Sequence, residues 1–522
     1  MIETIFRGSV FGRLAAYFQK IYHLGAIAAF FRALRLAYAH SALRRVVRAL
    51  MDVPSAAKNS VYVRCLTALN RVLHRVGTRL EHVWKNSRLY RLLRAVGQSK
   101  TVLCSGICKF FVRIGYRKLG ILLFSIYFPV DWVLRSVESL SLLASYWDEA
   151  FLAVCLLLLV AERIAAREQI AARPTAADAP LWFFIAVSVF LCLVISPDMG
   201  IAVAGLRAVV QYMLWFFVLT RFLRDEGDWL WFVLPLCAIG VLVSLHGVYQ
   251  FVVGAPIPAA WVSQSEMGVR TRVYSIFGSP NIMGAFLVMT APLCAAFAYM
   301  VRGWGAKVLA WGAAGLLCIA CLVTFSRGAW LGLAVAILLF ALLVDRRLLL
   351  FAFLACGVAV FIPEVSGRIT FLFTDDFAQR TMQGGRGERW TIGMQLLRSV
   401  NSFFGFGLGR FGGAVAMQNQ ILERTKYFYM DNYYLKTLVE MGYFGLVSYL
   451  FLLLSTLWGG LRKIFSLNKT KTQVIAAALF AGMAGILTHC YFENIFEVPY
   501  MNAYFWGMAA VLLTLHSSKR KA

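Results

Sequence analysis

From residue 119 to the carboxyl end, the chain alternates long apolar runs with short polar connections. A helix needs about 20 mainly apolar residues to cross the hydrocarbon core of a bilayer. Twelve runs approach that length, so the pattern predicts an all-α, polytopic membrane bundle of about twelve spans. The runs lie at about 119–135, 149–163, 180–196, 200–222, 229–252, 282–300, 306–325, 327–344, 348–362, 433–460, 473–492 and 500–516.

Two segments depart from this alternation and divide the chain into predicted regions. Residues 1–118 contain apolar stripes between arginines but no uninterrupted run long enough to span, and residues 363–432 form the one sizeable polar segment between spans. We therefore expect a basic amphipathic region on the cytoplasmic membrane surface over 1–118 and a first bundle of about nine spans over 119–362. A helical loop domain over 363–432 and the last three spans with a tail over 433–522 complete the prediction.

The distribution of charge gives the bundle an orientation. The formal net charge is +27, and residues 1–118 hold 22 Lys/Arg against three acidic residues, which places +19 of the total at this end. Short loops rich in Lys and Arg fall on the same side as this region along the whole chain, as the positive-inside rule requires of the cytoplasmic face. We expect both termini in the cytoplasm and segment 363–432 on the outer side.

The basic region is expected to contact membrane lipids rather than nucleic acid. The chain is 60% hydrophobic and 15% charged, and even the basic region interleaves leucine and aromatic residues with its arginines. Basic amphipathic helices of this composition bind the surface of an anionic bilayer. Nucleic-acid binding is the alternative for any Arg-rich segment, and it suits the leucine content less well.

Polar residues that lie close to membrane depth gather at the predicted outer face. The sharpest case is Arg327 in "TFSRGAWLG", where only a few residues separate two apolar runs on the side that otherwise avoids positive charge. A charge in this position usually marks a functional site, and the alternative is a side chain that snorkels to the interface. The residues at this face include Arg270, Arg272, Asn281, Arg327, Asp431, Asn432 and Glu493.

Segment 363–432 carries a second group of arginines. In "GGRGERWTIGMQLLRS", Arg386 and Arg389 are three residues apart, so on a helix they share a face. Two guanidinium groups match a diphosphate through bidentate hydrogen bonds, whereas charged surface decoration is the alternative. The "GFGLGRFGG" at 405–413 has no strand before it, so we expect a tight loop that returns the chain to the membrane rather than a dinucleotide site.

A cavity that combines arginines with a carboxylate suits sugar transfer from a lipid-linked diphosphate. The diphosphate leaves readily once its charge is paired, but the attacking hydroxyl needs a base. Asp431 is the first candidate, against the alternative that it caps the helix that follows, and His489 is the second. No ATP motif is present, and "TDD" at 374–376 is more typical of a solvated turn than of a Mg²⁺ site, so neither a cofactor nor a metal is expected.

Five motifs in order resemble the O-antigen ligase and O-antigen polymerase superfamily, over about residues 180–516. They are "TRVYSIFGSPNIMGAFL" (271–287), "TFSRGAWLG" (324–332), "GERWTIGMQLL" (387–397), "GFGLGRF" (405–411) and "DNYYLKTLVEMGYFGL" (431–446). These proteins are bacterial inner-membrane glycosyltransferases that use undecaprenyl-diphosphate-linked glycans. The resemblance implies a twelve-span fold, a periplasmic loop that caps the cavity, a glycan or glycolipid acceptor, and metal-independent transfer with inversion at the anomeric carbon.

The resemblance also implies roles for individual residues. Arg272 and Arg327 correspond to family arginines that would bind the diphosphate, and Arg389 with Trp390 to an Arg and Trp element of the loop. Ligases of this family usually carry His-Asn where this chain has Asp431 and Asn432, and that histidine is their proposed base. Asp431, Arg272 and Arg327 are thus the expected catalytic residues. The expected substrate-binding residues are Arg270, Asn281, Arg386, Arg389, Trp390 and Asn432.

Two functions remain open at this point. A polysaccharide ligase or polymerase is the first, and a transporter or flippase of lipid-linked glycans is the second, because it would share the bundle and the basic cavity. Transport predicts polar residues through the whole membrane depth and an internal repeat. The sequence instead gathers its charges at one face and shows no such repeat, which favours the enzyme.

Overall fold

The computed structural model describes residues 106–165, 174–256, 271–361, 366–367, 370–382, 385–420, 429–467 and 471–516, together with positions 64, 68, 71 and 72. The chain divides into two compact units, Met1–Leu69 and Asn70–Ala522, and the helices named here belong to the second. Most of the predicted basic region and the substrate-binding candidate Arg270 lie outside the described residues.

The described residues fold into helices joined by turns and contain no β-strand. We number the α-helices in chain order. They are α1 Gly106–Ser125, α2 Tyr127–Ser136, α3 Ser141–Ala165, α4 Asp178–Phe190, α5 Met199–Val210, α6 Leu214–Phe222, α7 Leu230–Val253, α8 Pro280–Met300, α9 Trp304–Val323, α10 Arg327–Leu343, α11 Arg347–Val360, α12 Asp375–Met382, α13 Arg386–Arg398, α14 Ala414–Asn419, α15 Tyr433–Ser466, α16 Lys471–His489 and α17 Pro499–Thr514.

Eight helical segments among the described residues are long and apolar enough to cross a bilayer, and the pair α1 and α2, bent by 63°, would make a ninth. The predicted class, a polytopic all-α membrane bundle, is therefore confirmed. The count of twelve stays a prediction, because three of the predicted runs form shorter helices. These are α10 with 17 residues, α11 with 14 and α17 with 16.

Helix α8 lies at the centre of the bundle. Of its apolar stretch 89% is buried, and α7, α9, α10 and α16 pack around it. Small residues allow α10 and α16 to approach closely, since a Cβ added to Gly332 would lie 2.7 Å from the carbonyl oxygen of Gly485. Such small-residue contacts are the usual way in which helices pack inside membranes, where burial from water contributes little.

Helix α15 is broken by a kink at Gly442, whose φ is 65°. The backbone groups that the kink releases pair with the segment around residues 402–407. The amide of Tyr443 donates to the carbonyl of Ser402 at 3.0 Å, and the carbonyl of Val439 accepts from the amide of Phe406 at 2.8 Å. Residues 405–413, called the glycine loop below, are thereby attached along α15, in keeping with the tight loop expected from "GFGLGRFGG".

Candidate active site

A cavity lies where the first turns of α8 and α10 meet the last turn of α16 and the start of α13. Four of the nine predicted site residues line it, although they come from three separate parts of the chain. The lining includes Arg272, Asn281, Arg327, Arg386, His489 and Phe492. The fold thus brings three arginines to one cavity.

Arg272 is buried and held in a fixed orientation. Its Nε donates to the carbonyl of Thr324 at 3.1 Å, and its Nη2 donates to Oδ1 of Asn281 at 3.1 Å. Asn281 lies in the first turn of α8, which begins with Ser279 as its N-cap and Pro280 as its first residue. Proline is favoured at this position because its missing N–H has no partner in the helix. The amide nitrogen of Asn281 in turn donates to Oε2 of Glu493.

Arg327 is the first residue of α10 and is half-buried. Ser326 caps this helix through its Oγ, which accepts from the amide of Ala329 at 3.4 Å. The preceding Phe325 has φ of 51°, a left-handed conformation that is rare for a bulky residue and that tends to occur at functional sites. Because α8 and α10 both begin at the cavity, their helix dipoles add positive potential to that of the arginines.

Arg386 and Arg389 lie on one face of α13, as their spacing predicts, and both point to Asp431. Nη1 of Arg389 donates to Oδ2 of Asp431 at 2.6 Å, and Nε of Arg386 lies 3.8 Å from the same oxygen. Arg386 lines the cavity as well. Arg386 and Arg389 therefore connect Asp431, the predicted base, to the arginines that line the cavity. In the sequence these two groups appear as separate features.

Asp431 does not cap α15. The N-cap is Asn432, whose Oδ1 accepts from the amide of Leu435 at 3.0 Å, so the capping alternative for Asp431 is wrong. Asp431 itself has φ of 53°, which an aspartate tolerates better than most residues. Burial raises the pKa of Asp431, while the charges of Arg389 and Arg386 oppose this shift. Asn432 is buried in its capping position, and this gives its side chain a structural task.

Glu493 is a second carboxylate at the site, which the sequence placed at this face without assigning it a role. It lies in the turn after α16, is buried, and accepts from the amide side chain of Asn281. Burial, followed by the negative charge of Asp431, raises the pKa of Glu493 to about 7, although Arg386 and Asn281 oppose the shift. The only local signal for Glu493 is its place in "ENIFEVP", directly after an apolar run.

His489, the alternative base, is the last residue of α16 and is 1% exposed. It packs against Gly328, where an added Cβ would lie 2.9 Å from Nε2. Its Nδ1 is buried, and no described residue gives it a hydrogen bond. His489 thus lines the cavity beside Arg327, and its role as the base stays a prediction.

Trp390 lies next to the cavity without lining it. Its ring meets that of Tyr491 edge to face, with the centroids 5.6 Å apart. Its Nε1 is buried and has no hydrogen-bond partner among the described residues. The aromatic pair therefore packs α13 against the turn that carries Glu493.

The described residues contain no group of three or more His, Cys, Asp or Glu side chains that could hold a metal ion. In the "TDD" segment, Thr374 and Asp375 are exposed at the start of α12.

A bundle of apolar helices with a cavity lined by three arginines and adjoined by two carboxylates is typical of a multi-pass membrane protein with a site for an anionic ligand. Residues 312–450 match the family model described as O-antigen ligase, which confirms the resemblance to the O-antigen ligase and polymerase superfamily. No curated protein matches the chain. The matched residues include Arg327, Arg386, Arg389 and Asp431, whereas Glu493 lies beyond them.

Proposed function

We propose that the protein is a membrane glycosyltransferase of surface polysaccharide biosynthesis, acting as an O-antigen ligase or polysaccharide polymerase. It moves a glycan from an undecaprenyl-diphosphate donor to a hydroxyl of a glycan or glycolipid acceptor at the periplasmic face of the bacterial inner membrane. One observation carries the proposal: Arg272, Arg327 and Arg386 line one cavity, and the cavity adjoins two carboxylates, the buried Glu493 and the half-buried Asp431.

The arginines would bind the diphosphate of the donor. Guanidinium groups pair phosphate oxygens through two parallel hydrogen bonds, and such bonds are about twice as strong as those between neutral groups. The N-termini of α8 and α10 add favourable potential for the same anion. Because negative charge on the diphosphate increases as the glycosidic bond breaks, these groups stabilise the transition state more than the bound donor.

The carboxylates would accept the proton of the attacking hydroxyl. Oδ2 of Asp431 is engaged by Arg389, which favours its ionised form. Burial raises the pKa of Glu493 to about 7, and a base is most effective when its pKa is close to the working pH. We therefore assign the base to the pair, with Glu493 taking the proton and the charge of Asp431 raising its proton affinity.

The same arrangement supports a transfer that needs no metal and inverts the anomeric carbon. The charge that a metal would otherwise neutralise is met by three guanidinium groups. Attack of the acceptor oxygen on the anomeric carbon forms one bond while the bond to the diphosphate breaks on the opposite face, so a single displacement inverts that carbon. The proton passes to the carboxylate pair, and undecaprenyl diphosphate leaves with the bonding electrons.

The test is transfer by the purified protein in liposomes that contain an undecaprenyl-diphosphate-linked glycan and a glycolipid acceptor. We expect product glycan and free undecaprenyl diphosphate in equal amounts, in a chelator as well as with Mg²⁺. Movement of the intact donor between leaflets without cleavage of its glycosidic bond would support the transporter instead. Long glycans passed to the glycolipid would identify a ligase, and stepwise growth of the donor glycan a polymerase.

A further inference from the structure

A single backbone carbonyl connects the neighbours of the two carboxylates. The carbonyl of Gly412, in the glycine loop, accepts from the amide of Met430 at 3.2 Å and from Nδ2 of Asn494 at 2.6 Å. Met430 directly precedes Asp431, and Asn494 directly follows Glu493. The carbonyl of Gly412 is therefore one of the contacts that set the separation of the two acids, beside the bond from the amide of Tyr433 to the carbonyl of Cys490 at 2.9 Å.

The glycine loop is fixed on its other side by a buried group of charges. The amide of Phe411 donates to Oε1 of Glu440 at 3.1 Å, and the amide of Ala414 donates to Oε2 of Glu497 at 3.2 Å. Nζ of Lys436 lies 2.6 Å from Glu440 and 2.8 Å from Glu497, and all three side chains are buried. A backbone held at both ends by paired charges gives Gly412 little freedom to move.

Close approach at the loop adds to this rigidity. Gly412 has φ of 62°, and a Cβ added there would lie 2.9 Å from Cβ of Met430. At Gly413 an added Cβ would lie 2.6 Å from Cε of Lys436. Glycine is the residue that permits a backbone to come this near to its neighbours. The loop therefore lies directly against the segment that carries Asp431.

We propose that Asn494 is a positioning residue of the transfer reaction: through the Gly412 carbonyl it fixes the distance between Asp431 and Glu493. The inference rests on the proposed function, because it concerns the base of that reaction. Asn494 does not touch the arginine cavity, and it acts by holding the turn of Glu493 against the glycine loop. Without this bond the end of the turn that carries Asn494 loses its connection to the glycine loop, while the amide of Tyr433 still holds Cys490 at the start of the turn.

The charges around Glu493 make such a movement measurable. From α8 it is faced by Asn281, from α13 by Arg386, and from the segment before α15 by Asp431 and Tyr429. On its own turn, Cys490 is the nearby titratable group. Asp431 is the negative charge in this set that raises the proton affinity of Glu493, whereas Arg386, the amide of Asn281 and the backbone amide of Asn494, which donates to Oε1 at 3.3 Å, lower it. Where these three contacts persist, a greater distance between the acids lowers the proton affinity of Glu493.

The test is the pH dependence of kcat/KM for Asn494→Leu, with purified full-length protein and the lipid-linked donor. Leucine removes the bond to Gly412 but keeps the number of heavy atoms and the branch at Cγ. The fold should tolerate it, because Oδ1 of Asn494 is buried without a hydrogen bond from any described residue and the Gly412 carbonyl keeps Met430. We expect the acid limb to shift down by about one pH unit and kcat to fall about tenfold, with the KM for the donor unchanged.

The matched control is Asn502→Leu, the same change at another buried asparagine, in α17, where neither amide atom has a partner among the described residues. It should keep the wild-type pH profile. Glu493→Gln should abolish the acid limb of the profile, which would assign this limb to Glu493. Asn494→Ser, which is too short to reach Gly412, serves if the leucine variant does not fold.

If the folded Asn494 variants have an acid limb whose midpoint pH is the same as in the wild-type protein or higher, the positioning role is wrong. This holds even if the wild-type protein transfers glycan normally. Absence of transfer by the wild-type protein overturns the proposed function instead. The two failures are therefore distinguishable in one set of measurements.

Discussion

At the scale of single residues, Asp431 and Glu493 share one site but have different partners. Asp431 faces two guanidinium groups, while Glu493 accepts from a neutral amide. Like charges in one site separate the pKa values of two acids, and the less well paired acid keeps its proton to higher pH. This difference allows one carboxylate to stay ionised while the other exchanges the proton.

The pH dependence of transfer follows from the raised pKa of Glu493. Its pKa is about 7, above the ordinary value of 4.5, so the side chain is protonated below about pH 7 and cannot act as a base there. We expect kcat/KM of the wild-type enzyme to rise with pH through a midpoint near 7 and then to level off. A profile that is flat between pH 5.5 and 8.5 would contradict this assignment.

Arg327 offers a second residue-scale prediction. Arg327→Ala should lower kcat/KM by about 10- to 150-fold, which corresponds to the loss of about 1.5–3 kcal/mol of hydrogen bonding to a charged group. Arg327→Lys should recover part of the activity, because lysine keeps the positive charge but cannot form the two parallel hydrogen bonds of a guanidinium group. Arg398→Lys, at an exposed position in the last turn of α13, is the control. Normal activity in Arg327→Ala would return this residue to a snorkelling role.

At the scale of elements, the apolar runs predict where the membrane helices lie, and all twelve coincide with helices or bent helix pairs of the structure. The break in α15 was not predicted, because Gly442 lies inside a continuous apolar pattern and its kink depends on pairing with residues 402–407. Glu493 was missed as a site residue for the same reason. Its contact with Asn281 joins distant parts of the chain, and no local periodicity encodes such a contact.

The kink at Gly442 can be tested directly. Gly442→Ala must place a side chain at φ of 65°, which costs about 1–2 kcal/mol before any clash with the carbonyl of Phe403. We expect a lower thermal unfolding midpoint in detergent and weaker transfer. Gly312→Ala, in α9 with open space around it, should leave both unchanged. Equal midpoints for the two variants would show that the kink is not needed.

At the scale of the whole molecule, the distribution of charge predicts which end of the bundle faces the periplasm. The segment 399–404 and the active site should lie outside, and the end of α15 should lie inside. In a cysteine-free background, a cysteine at the exposed Asn401 should react with an impermeant thiol reagent added to intact cells, and one at the exposed Ser466 should not. Labelling at 466 with protection at 401 would invert the orientation.

The central claim, that the arginine cavity binds the donor and the adjoining carboxylates take the proton, is tested most directly by Glu493→Gln and Asp431→Asn. Single-turnover transfer is measured beside donor binding, with the purified variants in liposomes. Both changes keep the shape of the side chain and leave the cavity arginines in place, so the donor should bind at least as tightly as to the wild-type protein. Glu493→Gln, which removes the base, should slow transfer by about 10²- to 10⁴-fold, and Asp431→Asn, which removes the charge that raises the proton affinity of Glu493, by at least about tenfold. Transfer at the wild-type rate in both variants would contradict the account and direct attention to His489.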